Sequence, residues 1–341
     1  MKVQILSNMW PDKYKPYKGG FVYRQYYALD ALPDLQLNRI VLINNVNKYL
    51  AYFLFYLEQF LRIRDFYRAD VILVHQYTHS CWFIAFLPGL KAKILVHFHG
   101  YDLLIRSRLL KFFAPLHIRF LQRVDGYIFP SKYFRKLGNS LYKFMSSKRS
   151  FISYSGGVGS RFYLSHDLDL QKKRTYTFGF VGRLEPEKGY REFLDFARSC
   201  LIYTDFSFVL YGYGDGLTEC MDKALDLPNL TILTPDNLNV EQVYRKISNL
   251  LFLSKHKESL GLVPLEAIAS GCRVFSYPQK SLKELVLDPD SLKFIDSIKE
   301  LNLDIIKLVD VSANASSRSH SVDWLRDEIQ GCRFQKWLKD F

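Results

Sequence analysis

Short apolar runs recur along the chain, each bounded by polar or glycine-containing stretches and followed by a longer segment with helical spacing of its apolar positions. Met1-Lys2-Val3-Gln4-Ile5-Leu6-Ser7 reads as a buried first strand that ends in a polar loop. Further strands are predicted at residues 39–44, 70–75, 94–97 and 126–129, with a helix over 21–32 and helical stretches between the others. After residue 171 the pattern restarts, with strands at 176–181, 207–211, 230–233, 250–253 and 273–276. Strands alternating with helices predict α/β architecture with parallel sheets.

Between the two series, around Phe151 to Gln171, the pattern loosens, through Ser153-Tyr154-Ser155-Gly156-Gly157-Val158-Gly159 and a polar run ending Lys172-Lys173-Arg174. We expect an N-terminal domain over 1–165, a second over 166–322, and a C-terminal helix over 323–341 that packs back towards the first.

Composition narrows the class. An apolar fraction of 48% over 341 residues fits two folded domains of ordinary size. The five cysteines are scattered and never form a Cys-x2-Cys pair, which points away from a disulfide framework or a zinc site and towards a reducing, cytoplasmic setting. The opening is too short for the apolar core of a secretory signal, and no apolar run reaches the length of a membrane span.

Charge changes the picture further. Residues 1–150 hold 23 Lys and Arg against 8 Asp and Glu, whereas the remainder is close to balanced. Such asymmetry points to an anionic partner of the first half: nucleic acid, a lipid surface or a phosphorylated acceptor. Two stretches there, 47–68 and 103–123, combine apolar bulk with Arg62, Arg64, Arg68, Arg106, Arg108, Arg119 and Arg123, in the manner of basic amphipathic helices.

Candidate chemistry gathers in the second half. In Lys257-Glu258-Ser259-Leu260-Gly261-Leu262-Val263-Pro264-Leu265-Glu266, the apolar run before and the Pro264 and Gly271 positions predict a strand, a loop and a helix starting near Leu262. Glu258 then lies in the loop and Glu266 about one turn inside the helix. The helix start between them, at Gly261 and Leu262, offers unpaired N–H groups and a partial positive charge suited to a diphosphate. Gly182-Arg183-Leu184-Glu185-Pro186-Glu187-Lys188-Gly189 leaves another strand end and supplies a guanidinium and an ammonium, further equipment for phosphate. Gly212, Gly214 and Gly216 follow a third strand as a tight turn. In the first half, Gly19-Gly20 introduces a helix, where a backbone can approach a ligand closely.

Together these motifs resemble the retaining GT-B glycosyltransferases of family 4. The resemblance runs through Phe180-Val181-Gly182-Arg183-Leu184 with Lys188-Gly189, the Gly212–Gly216 turn and the Glu-x7-Glu element from Glu258 to Glu266. Weaker matches are Gly19-Gly20, His99-Gly100-Tyr101-Asp102 and Ser131. It implies two Rossmann-like domains facing across a cleft and a nucleotide-sugar donor, UDP- or GDP-linked, with no further cofactor and no bound metal. By the same resemblance Arg183 and Lys188 hold the diphosphate, Glu266 the ribose hydroxyls and Glu258 the donor sugar. His99 reaches the sugar, and Gly19 and Gly20 bring N–H groups to the diphosphate. The acceptor is then a saccharide; the positive excess of residues 1–150 leads us to expect it lipid-linked and used in cell-surface polysaccharide synthesis by an enzyme docked on the inner face of the membrane, the rival being a soluble anionic acceptor.

The chain departs from the family pattern at Ser259, where glycine is usual, at Gly156-Gly157-Val158-Gly159, at Thr234-Pro235-Asp236 and in the loop over 277–284. Competing classes are an epimerase or phosphorylase of the same fold and a basic nucleic-acid-binding protein. The second lacks a recognition motif and leaves Arg183, Lys188, Glu258 and Glu266 without a role, so nucleic acid is not expected as a partner.

Overall fold

Six parallel strands form the first sheet: β1 (Lys2–Ser7), β2 (Gln36–Val41), β3 (Val71–His75), β4 (Lys93–His97), β5 (Gly126–Phe129) and β6 (Arg149–Ile152). The computed structural model describes residues 1–13, 18–100, 102–103, 112–164, 174–236, 238–301 and 314–341. β3 is buried along its whole length and β4 from Ile94 onward, so their Val-Ile-Leu-Val and Ile-Leu-Val runs are the continuous apolar pattern of a parallel sheet covered on both faces. The order is β2-β1-β3-β4-β5-β6, so the direction of winding reverses between β1 and β3.

This sheet belongs to a compact unit made of Met1–Gly157 together with Asp327–Phe341. Its helices include α1 (Gly20–Asp30), α2 (Lys48–Leu61), α3 (Ala114–Arg123) and α4 (Lys132–Leu141). The C-terminal residues supply a helix over Asp327–Lys339, whose Phe334 and Leu338 enter the core with Val3, Leu29 and Leu73. The rings of Phe334 and Trp337 lie 5.3 and 5.4 Å from that of Phe151.

The second unit, Val158–Arg326, repeats the plan. Its strands are β7 (Tyr176–Arg183), β8 (Phe208–Tyr213), β9 (Leu230–Leu233), β10 (Ile247–Phe252), β11 (Arg273–Ser276) and β12 (Leu292–Phe294). They run parallel in the order β12-β11-β10-β7-β8-β9, with the reversal between β7 and β10. One face is closed by an aromatic cluster in which Phe178 meets Phe196, Phe206 and Phe208 at 5.2–5.6 Å. In doubly wound sheets the reversal leaves an opening beyond the carboxyl ends of the two central strands, where ligands bind.

Several elements differ from the sequence reading. β6 and β12 were not expected; β6 draws Phe151 and Ile152, assigned above to a loosening loop, into register with Ile128 and Phe129. β2 starts at Gln36 rather than 39, because its pairing with β1 begins at Gln36 opposite Lys2. The stretch 47–68 is two helices, α2 and a short one over Ile63–Arg68, broken at Arg62 with φ −101° and ψ 25°. The unit boundaries fall after Gly157 and Arg326. The polar run 165–173, Tyr101 and residues 104–111 of the basic stretch 103–123 lie outside the described residues.

Candidate functional site

In the second unit the reversal brings together the turns that follow β7 and β10. The chain leaves β7 through a 3-10 turn, Pro186–Lys188, and enters a helix at Tyr190 after Gly189. Gly189 has φ +83°, and a Cβ there would stand 2.5 Å from the Cβ and the carbonyl oxygen of Leu253. Only glycine lets this turn rest on the segment after β10. Beside it the N–H of Lys255 donates to the carbonyl of Glu187 at 2.9 Å.

That contact carries Lys188 to Glu258. The Lys188 ammonium donates to Glu258 Oε1 at 2.7 Å, and both side chains are largely withdrawn from solvent. Ser254 Oγ donates to the same oxygen at 2.8 Å, and the Glu258 N–H donates to Gln279 Oε1 at 3.3 Å. Gln279 Nε2 in turn donates to the Ser254 carbonyl at 2.7 Å, and Ser281 Oγ to the Glu258 carbonyl at 3.1 Å. Three residues to which the sequence reading gave no role therefore set Glu258: Ser254, Gln279 and Ser281. Gln279 lies in the very loop where the chain departs from the family pattern, which is why no motif marked it.

After Glu258 the chain enters α5, the helix over Leu262–Ala269, through Gly261 at φ +91°. Glu266 is buried one turn inside, and the Tyr244 hydroxyl lies 3.4 Å from its Oε2. The far end of α5 is clamped by two arginines. Arg174 donates to the carbonyls of Tyr244 and Ser270, and Arg318, which is 1% exposed, donates to the Gly271 carbonyl at 3.0 Å and to Asp290 at 2.9 Å. Arg183 stands apart from this group: its guanidinium pairs with Glu185, and both side chains face solvent. The structure thus gathers Lys188 and Glu258 directly, sets Gly261, Leu262 and Glu266 on the adjoining helix, and turns Arg183 to a different partner.

The first unit has its own constellation at the corresponding sheet edge. Gly19, at φ +72°, caps α1, and a Cβ on it would lie 2.7 Å from the carbonyl of Met9. Its glycine character is explained by that close approach alone. Gly20, by contrast, has nothing within 4 Å of where a Cβ would stand. One residue on, the Phe21 ring packs 4.5 Å from that of His99.

His99 sits on a turn fixed by Asp102, whose Oδ1 accepts the N–H groups of His99, Gly100 and Leu103 at 2.9, 2.9 and 3.1 Å. Burial pushes the Asp102 carboxyl up to about 6, against the pull of those N–H groups. Two further histidines, not singled out in the sequence, adjoin His99. His75 Nδ1 lies 2.9 Å from His99 Nε2, and His97 packs its ring 4.4 Å away. Ser131, matched only weakly to the family pattern, accepts the Phe134 N–H as the N-cap of α4.

With this geometry in view, comparison with known proteins is decisive for the family. The model described as Glycosyl transferases group 1 matches residues 167–318, and that described as Glycosyltransferase Family 4 matches residues 6–153. The chain belongs to the group 1 glycosyltransferases. No curated protein sequence matches this glycosyltransferase. Among solved structures it is similar to sucrose-phosphate synthase from Thermosynechococcus elongatus, with TM-score 0.72, 14% identity and coverage of 100% of this chain and 98% of that one. Anabaena HepE in complex with UDP and glucose matches at TM-score 0.70 and 14% identity, over 100% of both chains. The lipopolysaccharide outer core galactosyltransferase WaaB, in its apo form, matches at 0.64 and 12%, over 100% and 99%. The glycosyltransferase therefore has the GT-B fold, as the resemblance implied.

Proposed function

We propose that this glycosyltransferase moves a sugar from a UDP- or GDP-linked donor to a lipid-linked saccharide, with retention of the anomeric configuration and without a metal ion. The observation that carries the reading is the Lys188–Glu258 contact at the strand reversal, beside the N-terminus of α5. A diphosphate placed there meets an ammonium and the free N–H groups at Gly261 and Leu262, and a developing negative charge on the leaving nucleotide is stabilised by fixed dipoles. Glu258, held by four hydrogen-bonding neighbours, takes the donor sugar. Glu266 takes the ribose hydroxyls, and Arg183 exchanges Glu185 for phosphate. In the first unit, His99 reaches the sugar and the open space at Gly20 admits the diphosphate to the backbone, with Gly19 holding the helix start in place.

HepE, whose structure holds UDP and glucose, makes a UDP-sugar the first donor to try. WaaB is a lipopolysaccharide outer core galactosyltransferase, in keeping with a lipid-linked acceptor. None of the described helices is long and apolar enough to cross a membrane. The excess of positive charge in residues 1–150 and the exposed apolar side chains of α2 support docking on the anionic, cytoplasmic leaflet.

A thermal-shift panel of UDP, GDP, ADP and their sugar conjugates tests the donor site, since a ligand at 100 times its Kd stabilises by about 2.7 kcal/mol. No shift with any of them refutes the reading. NMR of the product formed in EDTA tests the stereochemistry: an inverted anomer, or activity restored only by added magnesium, overturns it.

A further inference from the structure

His75 and His97 end β3 and β4 and face each other in register, and His99 follows two residues on. Nitrogen atoms of the three rings lie within 4.8 Å of one another, an arrangement that invites a metal reading. The geometry of the closest pair opposes it. His75 Nδ1 and His99 Nε2 are 2.9 Å apart, with ring centroids at 5.2 Å and planes 9° from parallel. Those values describe two rings meeting head-on in nearly one plane, the arrangement of a straight N–H···N hydrogen bond. Zinc at about 2.0–2.1 Å from each nitrogen needs lone pairs that converge on a point off that line.

His97 plays a different part. Its Nε2 lies 2.8 Å from Ser153 Oγ, whose own hydroxyl donates to the Phe129 carbonyl at 3.3 Å. That contact occupies His97 Nε2, and the buried His97 Nδ1 has no hydrogen-bond partner among the described residues. A fixed, neutral ring of this kind forms a wall against His99.

We propose that His75 is a positioning residue for His99: by sharing one proton across the Nδ1···Nε2 contact, it sets the plane and the tautomer of the ring that meets the donor sugar. Burial holds both imidazoles well below the ordinary histidine range, so each is neutral and the shared position carries a single proton. An imidazole free of such a bond turns broadly about its last torsion and exchanges tautomers. Phe21 bounds one side of His99 and His97 another, but neither contact distinguishes the two nitrogens. Among the described residues, only His75 does so. The proposal rests on the reading that His99 contacts the sugar.

The test compares His75→Asn, His75→Gln and His75→Leu in the full chain. An Asn amide sits where Nδ1 was and can donate or accept; a Gln amide keeps the polarity one bond too far out; Leu removes the partner. We expect Leu and Gln to lower kcat 10–100-fold with donor KM within about threefold, and Asn to return kcat to within about threefold of wild type. Two-bond nitrogen–proton spectra of the 15N-histidine-labelled proteins should show His99 as one tautomer in wild type and Asn, and as a mixture in Leu and Gln. The spectrum reads the pairing whether or not sugar is transferred, so failure of the donor-site reading and failure of this one are told apart. An unchanged His99 tautomer in both Leu and Gln variants overturns the proposal. So does zinc that co-purifies at one equivalent with wild type and is lost in His75→Asn.

Discussion

Lys188 and Glu258 are seventy residues apart in sequence and 2.7 Å apart at Nζ and Oε1. The topology produces the meeting. β7 and β10 are the central neighbours at which the second sheet changes its direction of winding, and each residue belongs to the turn that leaves one of those strands. Gly189 then lets the first turn press onto the second. The pair is thus a product of strand order and one glycine, and neither side chain needs the other for its place in the chain.

Removal of either partner should separate catalysis from folding. Lys188→Ala strands a largely withdrawn carboxylate, and a lost hydrogen bond to a charged group costs about 1.5–3 kcal/mol. The variant should therefore fold with a lowered Tm and lose at least about 100-fold in kcat, the scale of removing one donor to a developing negative charge. Glu258→Gln keeps a carbonyl oxygen for Ser254 and should lose transfer with a smaller loss of stability. Turnover of either variant at the wild-type rate with the true donor removes these residues from the site.

The sheets were legible because β3, β4 and β10 hold unbroken apolar runs of three or four residues, and α5 because Pro264 and Gly271 mark its two ends. β12 escaped notice with three residues, of which only Leu292 is buried. β6 escaped because Phe151 and Ile152 stand next to a glycine-rich loop and its other two residues are Arg149 and Ser150. Glu258, Lys188 and Glu266 were found through local motifs. The partners that hold them were not: Ser254 lies four residues before Glu258 in a loop that no motif covers, and Gln279 and Tyr244 reach them only through the packing of neighbouring elements. His75 escaped for the same reason: its relation to His99 is a matter of register between β3 and β4.

The two glycines that open α1, Gly19 as its cap and Gly20 as its first residue, should respond oppositely to alanine. At Gly19 the added Cβ meets the Met9 carbonyl at 2.7 Å on a left-handed backbone, so Gly19→Ala should cost about 2 kcal/mol or more. At Gly20 the space is open, and alanine in a helix is favoured over glycine by up to about 1 kcal/mol. Gly20→Ala should therefore match or exceed wild type in urea unfolding while raising the donor KM several-fold. A KM unchanged in Gly20→Ala shows that no donor atom approaches this backbone.

Asp102 gives the first unit a defined pH dependence. Its folded carboxyl titrates near 6 against an ordinary 3.8, so between those values the folded chain binds more protons than the unfolded one. Stability from this group must fall as pH rises from about 4 to 6 and stay level above, a loss of about 2–3 kcal/mol. Asp102→Asn keeps an acceptor for the three N–H groups and carries no charge. It should be more stable than wild type at pH 7.5 by about 2 kcal/mol and show no such gain at pH 4. Equal urea midpoints at pH 7.5 refute the assignment.

The surface of α2 offers the last prediction. Tyr49, Phe53, Phe60 and Leu61 are 87, 62, 62 and 71% exposed, whereas Ala51, Phe55 and Gln59 are buried. The helix therefore presents large apolar side chains outward as well as inward, which water alone gives no reason to keep. Basic residues adjoin it at Lys48, Arg64 and Arg68; Arg62, however, is already paired with Glu58 and Asp65 and has less to give. Each free Lys or Arg near an anionic leaflet adds about 1 kcal/mol of attraction, and each inserted ring adds its own apolar burial. Phe53→Ser with Phe60→Ser removes two of those mostly exposed rings, so Tm should move by less than about 2 °C. Binding to vesicles of anionic lipid at low salt should drop at least 10-fold, and transfer to a lipid-linked acceptor should fall with it while a water-soluble acceptor is used as before. Wild-type protein that ignores anionic vesicles, or a double variant that binds them as tightly as wild type, takes α2 out of any membrane role.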